Sequence, residues 1–372
     1  VYLGLNGGRG TVTGNGGEAL YPSVVIGLNT VIVAVTDETP RILTVKQPSD
    51  SAVNKEDLLS KHTREAELPD AIPFGHFDPA SDRTLELGLR RWVGEQTGLN
   101  LGYVEQLYTF GDRNRDPSEG EGGPRVISIA YLALIREGKP SGTAGAHWRE
   151  WYRFFPWEDW RTGRPEVIEK HIAPALARWV GSAPDSRIRQ DRRERCDINF
   201  GLKGAPWVPE RVLERYELIY EVNLAAESHR DRRSGAKASI LPSTRTSEKP
   251  EDRTIPSTSH LGRAMALDHR RILATALGRL RGKLKYRPVV FELLPTIFTL
   301  FQLQRVVEAL AGVRLHKQNF RRLVEKGGLV EGTARFDSRT GGRPAELFRF
   351  RRDVLRERPA PGVGLPGIRR TG

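Results

Sequence analysis

Cysteine and long apolar runs are what this sequence has least of. Cys196 is the single cysteine among 372 residues, which excludes an internal disulfide and any cysteine-based zinc cluster. No apolar run approaches the roughly 20 residues needed to cross a bilayer, so a membrane is not an expected partner. The Gly-rich start, VYLGLNGGRGTVTGNGG, lacks the apolar stretch of roughly 7–15 residues that marks a signal peptide. Cytoplasmic residence is the expectation. What is present suits a globular protein: 38% hydrophobic and 28% charged residues, in a chain long enough for two or three cores.

Charge is unevenly spread. The whole chain carries a net +13, yet residues 260–372 alone hold 24 basic and 9 acidic side chains. A basic module joined to a near-neutral one suggests a polyanion-binding domain beside a domain with another task. A solubilising surface is the plainer alternative.

Along the chain, VVIGLNTVIVA (24–34) and RILTVK (41–46) read as two strands joined by a turn at Asp37–Pro40. After a Pro-, Gly- and Asp-rich loop, TLELGLRRWVGEQTG (84–98) reads as a helix. Thr84 is its N-cap, Leu85, Leu89, Trp92 and Val93 form its apolar stripe, and Gly98 stops it. Strand-like runs follow at 102–110 and 125–135. The order is that of a helix packed on a mixed sheet. Residues 147–160 hold four of the seven tryptophans, a crowding that fits a core or domain contact better than a ligand cage. Residues 209–227 are helical by period, and 228–260 read as a flexible linker or mobile loop. A basic helix is expected over 266–285. Its Leu273, Leu277, Leu280 and Leu284 form a heptad-like seam, either a dimer contact or the docking face of a helix against its neighbours.

The C-terminal third then supplies two helices and a hairpin. Thr299 and Gln302 have capping-box spacing, Leu300, Leu303, Val306, Val307 and Leu310 face one way, and Gly312 sits where a left-handed C-terminal residue belongs. A second helix over 316–326 turns Phe320, Leu323 and Val324 inward. Its other face presents Lys317, Gln318, Asn319, Arg321 and Arg322. Arg and Lys pair with guanine O6 and N7, Asn and Gln with adenine N6 and N7. Strands at 329–333 and 345–351 flank a Gly-rich loop carrying Arg339 and Arg343. Two helices and a basic hairpin read as a winged helix-turn-helix, expected to bind double-stranded DNA; a small α/β subdomain with a polar surface is the plainer alternative.

Residues 75–99, GHFDPASDRTLELGLRRWVGEQTGL, resemble a decayed Nudix box, G-x5-E-x7-R-E-U-x-E-E-x-G-U with U bulky and apolar. Arg91, Val93, Glu95, Gly98 and Leu99 fit, whereas Trp92 and Gln96 stand where glutamates belong, and the loop glutamate is missing. A Nudix helix holds carboxylates on one face for Mg²⁺, which neutralises pyrophosphate and activates water. With Glu95 as the one carboxylate on that face, no metal site and no catalytic residues are expected. The competing reading, a hydrolase of ADP-ribose-type substrates with an appended nucleic-acid-binding domain, requires Glu95 to be joined by Glu86 or Asp82.

The two halves together resemble the Nudix-related transcriptional regulators of NAD metabolism, the NrtR family, and its NadQ-type branch in particular. The resemblance is carried by VEQLYTFGDR (104–113), VISIAYLAL (126–134) and YRFFPWEDWR (152–161). Further along it rests on DHRRILATALGRLRGKLKYRPVVFELLP (268–295), LHKQNFRRLVEKGGLVE (315–331) and GGRPAELFRF (341–350). It implies an α/β Nudix-like domain, a mixed sheet with helices, followed by a C-terminal winged helix-turn-helix domain. It also implies a homodimeric repressor of NAD biosynthesis genes that binds a palindromic operator and senses an adenine nucleotide, ATP or ADP-ribose, as effector and not as a catalytic cofactor. Arg91, Arg113 and Arg115 are the phosphate-contact candidates in such a pocket, because a guanidinium donates in pairs. The expected domains are a disordered extension at 1–23, a Nudix-like sensing domain at 24–185, a helical segment and flexible linker at 186–262, a winged helix domain at 263–358 and a tail at 359–372.

Overall fold

The computed structural model describes residues 24–46, 69–113, 115–116, 119, 122–142, 145–233, 258–338, 344–358 and 360–363. The N-terminal extension, most of the expected linker and the tip of the wing lie outside the described residues.

The first half is a mixed sheet. Strands β1 (Val24–Thr36) and β2 (Thr39–Lys46) form the expected hairpin. Its turn places Asp37 and Glu38 at φ +49° and +60°, the left-handed geometry that matches strand twist in a tight hairpin. Short strands β3 (Asp70–Ala71) and β4 (Phe74–His76) follow. Helix α1 (Leu85–Thr97) leads to β5 (Tyr103–Phe110), β6 (Arg125–Leu134) and β7 (His147–Glu150). The sheet order is β3-β2-β1-β6-β5, with β4 on β1 and β7 on β2; β1 and β6 run parallel and the other pairs antiparallel. The β1 sequence is apolar almost throughout because residues 28–34 are buried whichever face they point to, as expected of a strand covered on both sides.

Four helices follow: α2 (Ala173–Gly181), α3 (Ser186–Phe200), α4 (Val212–Glu221) and α5 (Ala226–Arg233). The helix expected over 209–227 is two, broken at Asn223, which takes a positive φ of 59°. Residues 228–233, expected to open the linker, instead belong to α5. The aromatic cluster is core: Trp151, Phe154, Phe155 and Trp157 are fully buried.

Helix α6 (His269–Leu284) settles the open question of the leucine seam. Leu273, Leu277, Leu280 and Leu284 are each 0% exposed within the single chain, so the seam docks the helix against its own neighbours. Arg270 and Arg281 on the same helix are equally buried.

The winged helix comprises β8 (Phe298–Thr299), α7 (Leu300–Ala311), α8 (Lys317–Gly327), β9 (Val330–Asp337) and β10 (Ala345–Phe350), ahead of a short α9 (Val354–Glu357). The three strands are ordered β8-β10-β9. The capping box forms: Gln302 N–H donates to Thr299 Oγ1 at 3.1 Å, and Thr299 N–H donates to Gln302 Oε1 at 2.8 Å. One continuous apolar core runs from the sheet through α6 into α7, α8 and α9. Beyond α9, buried Val363 donates its N–H to Leu284 O at 3.0 Å, so residues 360–363 return to the end of α6.

Candidate nucleic-acid face and nucleotide-binding half

Helix α8 is divided as its sequence predicts. Phe320 and Val324 are fully buried against α7 while Lys317, Gln318, Asn319, Arg321 and Arg322 are exposed. Among the described residues none of these five side chains makes a hydrogen bond or ion pair. Five polar side chains on one helical face with no internal partner are free to meet base edges and phosphates.

The turn before α8 is fixed by buried Glu308. Its carboxylate accepts from Leu315 N–H at 2.9 Å, Gln304 at 2.9 Å, Arg314 at 2.8 Å and Arg305 at 2.9 Å. Burial raises this carboxyl, but the donors, Arg314 foremost, more than reverse it and leave it below its ordinary range. Arg305 and Arg314 also pair with Glu38 in the β1–β2 turn, at 3.1 and 3.5 Å. That pairing ties the winged helix to the sheet.

On the wing, Arg339 and Arg343 lie outside the described residues. Strand β9 runs to Asp337, four residues past its expected end at Thr333. The longer strand adds an exposed cation that sequence reasoning missed, Arg335, beside exposed Phe336. The signal available was the continuing extended pattern of TARFD.

In the first half, α1 forms over the segment that resembles a Nudix box. Thr84 caps it through Leu87 N–H at 3.1 Å, and Gly98 ends it at φ +69°. The two side chains that replace box glutamates bond the sheet: Trp92 Nε1 donates to His76 O at 2.7 Å, and Gln96 Nε2 donates to Phe74 O at 2.6 Å. Gly75 makes room for this, because a Cβ there would overlap the Trp92 ring. A carboxylate has no proton to donate to those carbonyls, so Trp92 and Gln96 fasten α1 to β4 in a way that glutamates could not.

The remaining carboxylates are dispersed among arginines. Arg91 donates to both oxygens of Asp82 at 3.0 Å and to Glu95 at 3.3 Å, while Glu86 takes Arg90 at 2.8 Å. The hydrogen bond from Arg91 holds the Asp82 carboxyl below its usual value. Among the described residues no three His, Cys, Asp or Glu side chains converge as a metal-binding group.

The three arginines expected to meet phosphate have separate situations. Arg113 is exposed, with no ion pair among the described residues. Arg91 is engaged as above, yet its side chain is 39% exposed. Arg115 is neither free nor at a surface, and here the expectation is corrected. It is 8% exposed, donates to both oxygens of Asp268 at 2.7 Å, and gives Nη1 to Phe110 O at 3.0 Å. Asp268, 153 positions away in the chain, was not singled out as its partner, because neither residue signals the other locally. A cavity of about 20 Å³ lies beside Asp268, Arg271, Tyr216 and Glu217. It has room for a water molecule, not for a nucleotide.

Residues 290–350 match the family model of the NrtR DNA-binding winged helix domain. This segment, which holds α7, α8 and the hairpin, is similar to that domain. The chain is also similar to the ADPR responsive transcriptional repressor NtrR of Acinetobacter baylyi, with 40% identity over 86 residues. That stretch is 23% of this chain and 34% of the relative, so the chain matches about a third of that relative's length. Among solved structures it is similar to NrtR of Shewanella oneidensis, at 18% identity and TM-score 0.48, over 88% of this chain and 95% of the other. The same protein complexed with a 27mer DNA is similar at 19% identity and TM-score 0.45, over 89% and 95% of the two chains.

Proposed function

We propose that this protein is a nucleotide-responsive transcriptional repressor of NAD biosynthesis genes, which binds a palindromic operator as a homodimer and performs no catalysis. The observation that carries the reading is the face of α8: five exposed, internally unpartnered polar side chains within the segment of NrtR type. Lys317, Gln318, Asn319, Arg321 and Arg322 read the major groove, and wing cations, with Arg335 added to Arg339 and Arg343, meet the backbone. Two such helices about 34 Å apart read half-sites one turn apart. The effector is an adenine nucleotide. The name of the Acinetobacter relative favours ADP-ribose over ATP. Arg113 and Arg91 remain the phosphate contacts on this reading, and Arg115 is withdrawn because its donors are already used.

The test is fluorescence anisotropy of the full chain on a palindromic duplex and a scrambled one at a single salt concentration, since phosphate contacts alone are unselective and salt-sensitive. The palindrome is bound more tightly, and Arg321→Ala or Arg322→Ala costs roughly 1–3 kcal/mol where the side chain makes a bidentate base contact. Equal affinity for both duplexes, or no effect of either substitution, overturns the reading.

A further inference from the structure

Helix α6 is bonded through polar groups at both ends, and the two ends touch different halves of the molecule. At its start, Asp268 receives the buried guanidinium of Arg115, which also holds Phe110 O at the end of β5. One turn on, Arg271 donates to Asp112 at 2.8 Å and to Glu217 at 3.1 Å. The loop that follows β5 and exposes Arg113 is therefore fastened to the first turn of α6 by two ion pairs.

At the other end, fully buried Arg281 donates to the Glu158 carboxylate at 2.5 Å and to Leu310 O at 3.1 Å. Leu310 is in the last turn of α7, where backbone carbonyls have no partner within the helix. Its neighbours are taken from the same side: Tyr152 Oη donates to Ala309 O at 2.8 Å, and Trp160 N–H donates to Gly312 O at 2.7 Å. The C-terminal end of α7 is thus held by three donors of the sensing half and α6. The α7 end leads directly into the turn before α8.

Arg271 and Arg281 stand ten positions apart on this helix of 16 residues, about 15 Å at the helical rise. The leucine seam is wholly buried along that length, and a packed helix shifts as a unit more readily than it bends. We propose that α6 is the element that couples the two sites: ligand contacts made by the loop after β5 reach the winged helix through the Arg115–Asp268 and Arg271–Asp112 clamps, the body of α6, and the Arg281 contact with the end of α7. The proposal rests on the function proposed above, in which that loop meets the nucleotide. Asp268 and Arg271 are positioning residues in it and touch neither ligand.

The experiment measures operator affinity of the full chain with and without saturating ADP-ribose, and ADP-ribose affinity by calorimetry without DNA. The ratio of the two operator affinities is the coupling, which must be reciprocal between ligands. In Asp268→Asn and in Arg271→Gln, ADP-ribose affinity and ligand-free operator affinity each stay within about threefold of the wild type, and the coupling ratio falls toward one. Arg271→Gln removes a partly exposed pair and guards against a folding defect in Asp268→Asn. Hydrogen exchange on the wild type adds an independent readout: protection of the Trp160 amide changes on addition of ADP-ribose. Wild-type coupling retained in both variants, or an unchanged Trp160 amide in a responsive wild type, overturns the role of α6 alone. A wild type whose operator affinity ignores ADP-ribose overturns the functional reading as well.

Discussion

Acidification from about pH 7 to about pH 5 protonates His269 in the unfolded chain and leaves it neutral in the folded one. His269 opens α6 and is 1% exposed. Its Nδ1 accepts from Ile72 N–H at 3.2 Å, and its ring lies 5.7 Å from that of Phe74. Burial is the largest influence on it, opposed by Asp268 and reinforced by Arg115 and Arg230, and brings its pKa from 6.5 down to about 4. A proton on Nδ1 would also set a donor against the Ile72 donor. Because the folded value lies below the unfolded one, the unfolded state takes up the proton first as pH falls. Stability is therefore full above pH 6.5 and is lost through the window down to about 4. At 1.36 kcal/mol per unit, the complete loss is about 3 kcal/mol, and about 2 kcal/mol of it is spent by pH 5. The assay is urea unfolding of wild type and His269→Asn at both pH values. The Asn carbonyl accepts the Ile72 hydrogen bond without titrating, so the stability gap between the proteins narrows by about 2 kcal/mol on acidification. Equal acid losses in the two proteins would refute the reasoning.

The remaining predictions concern the junction and the Nudix-like helix. Gly312→Ala places a Cβ against Glu158 O at a φ of +72°, so thermal unfolding should show a loss of about 2 kcal/mol or more, counting left-handed strain alone as 1–2. Glu158→Gln leaves Arg215 and Arg281, both 0% exposed, without their shared counter-charge. Denaturant titration should register a loss of about 3–5 kcal/mol, and a loss under about 1 would mean that the backbone carbonyls suffice. ADP-ribose incubated with the purified protein and Mg²⁺ or Mn²⁺ should remain intact by chromatography; steady turnover abolished by Glu95→Gln would instead establish the hydrolase.

What the sequence made legible is what neighbouring residues determine. The capping box at Thr299, the left-handed stops at Gly98 and Gly312, and the two faces of α8 each depend on spacings of a few residues, and each stands as read. The misreadings share another cause. Arg115 was a phosphate-contact candidate, and the leucine seam of α6 stood undecided between a dimer contact and docking within the chain, because their partners lie far along the chain and carry no local mark. The charge count suffered similarly. Arg270, Arg271 and Arg281 belong to the basic third of the sequence, yet they pair internally with Glu227, Asp112, Glu217 and Glu158. Paired in this way, they add little to the field at the exposed face of α8. The two-residue strand β8 is too short for any alternation to reveal, and Asn223 breaks its helix through a backbone angle that a helical period does not encode.

The buried arginines and the hydrogen-bonded face of α1 belong to one physical pattern. A hydrolytic helix must leave its carboxylates facing a cavity, where they repel one another until a metal arrives. Here Trp92 and Gln96 donate hydrogen bonds to β4 carbonyls, while Asp82 and Glu95 share Arg91 and Glu86 takes Arg90. The same exchange recurs at the junction, where Glu158, Asp268 and Glu308 are satisfied by Arg281, Arg115 and Arg314. A partner lost from such a buried pair costs more than the pair contributes, so each pair favours one arrangement of the elements it joins over nearby alternatives. The molecule holds its elements in a defined relation, and Arg91, bonded to Asp82 and Glu95 yet partly exposed on α1, is a fastening still open to solvent.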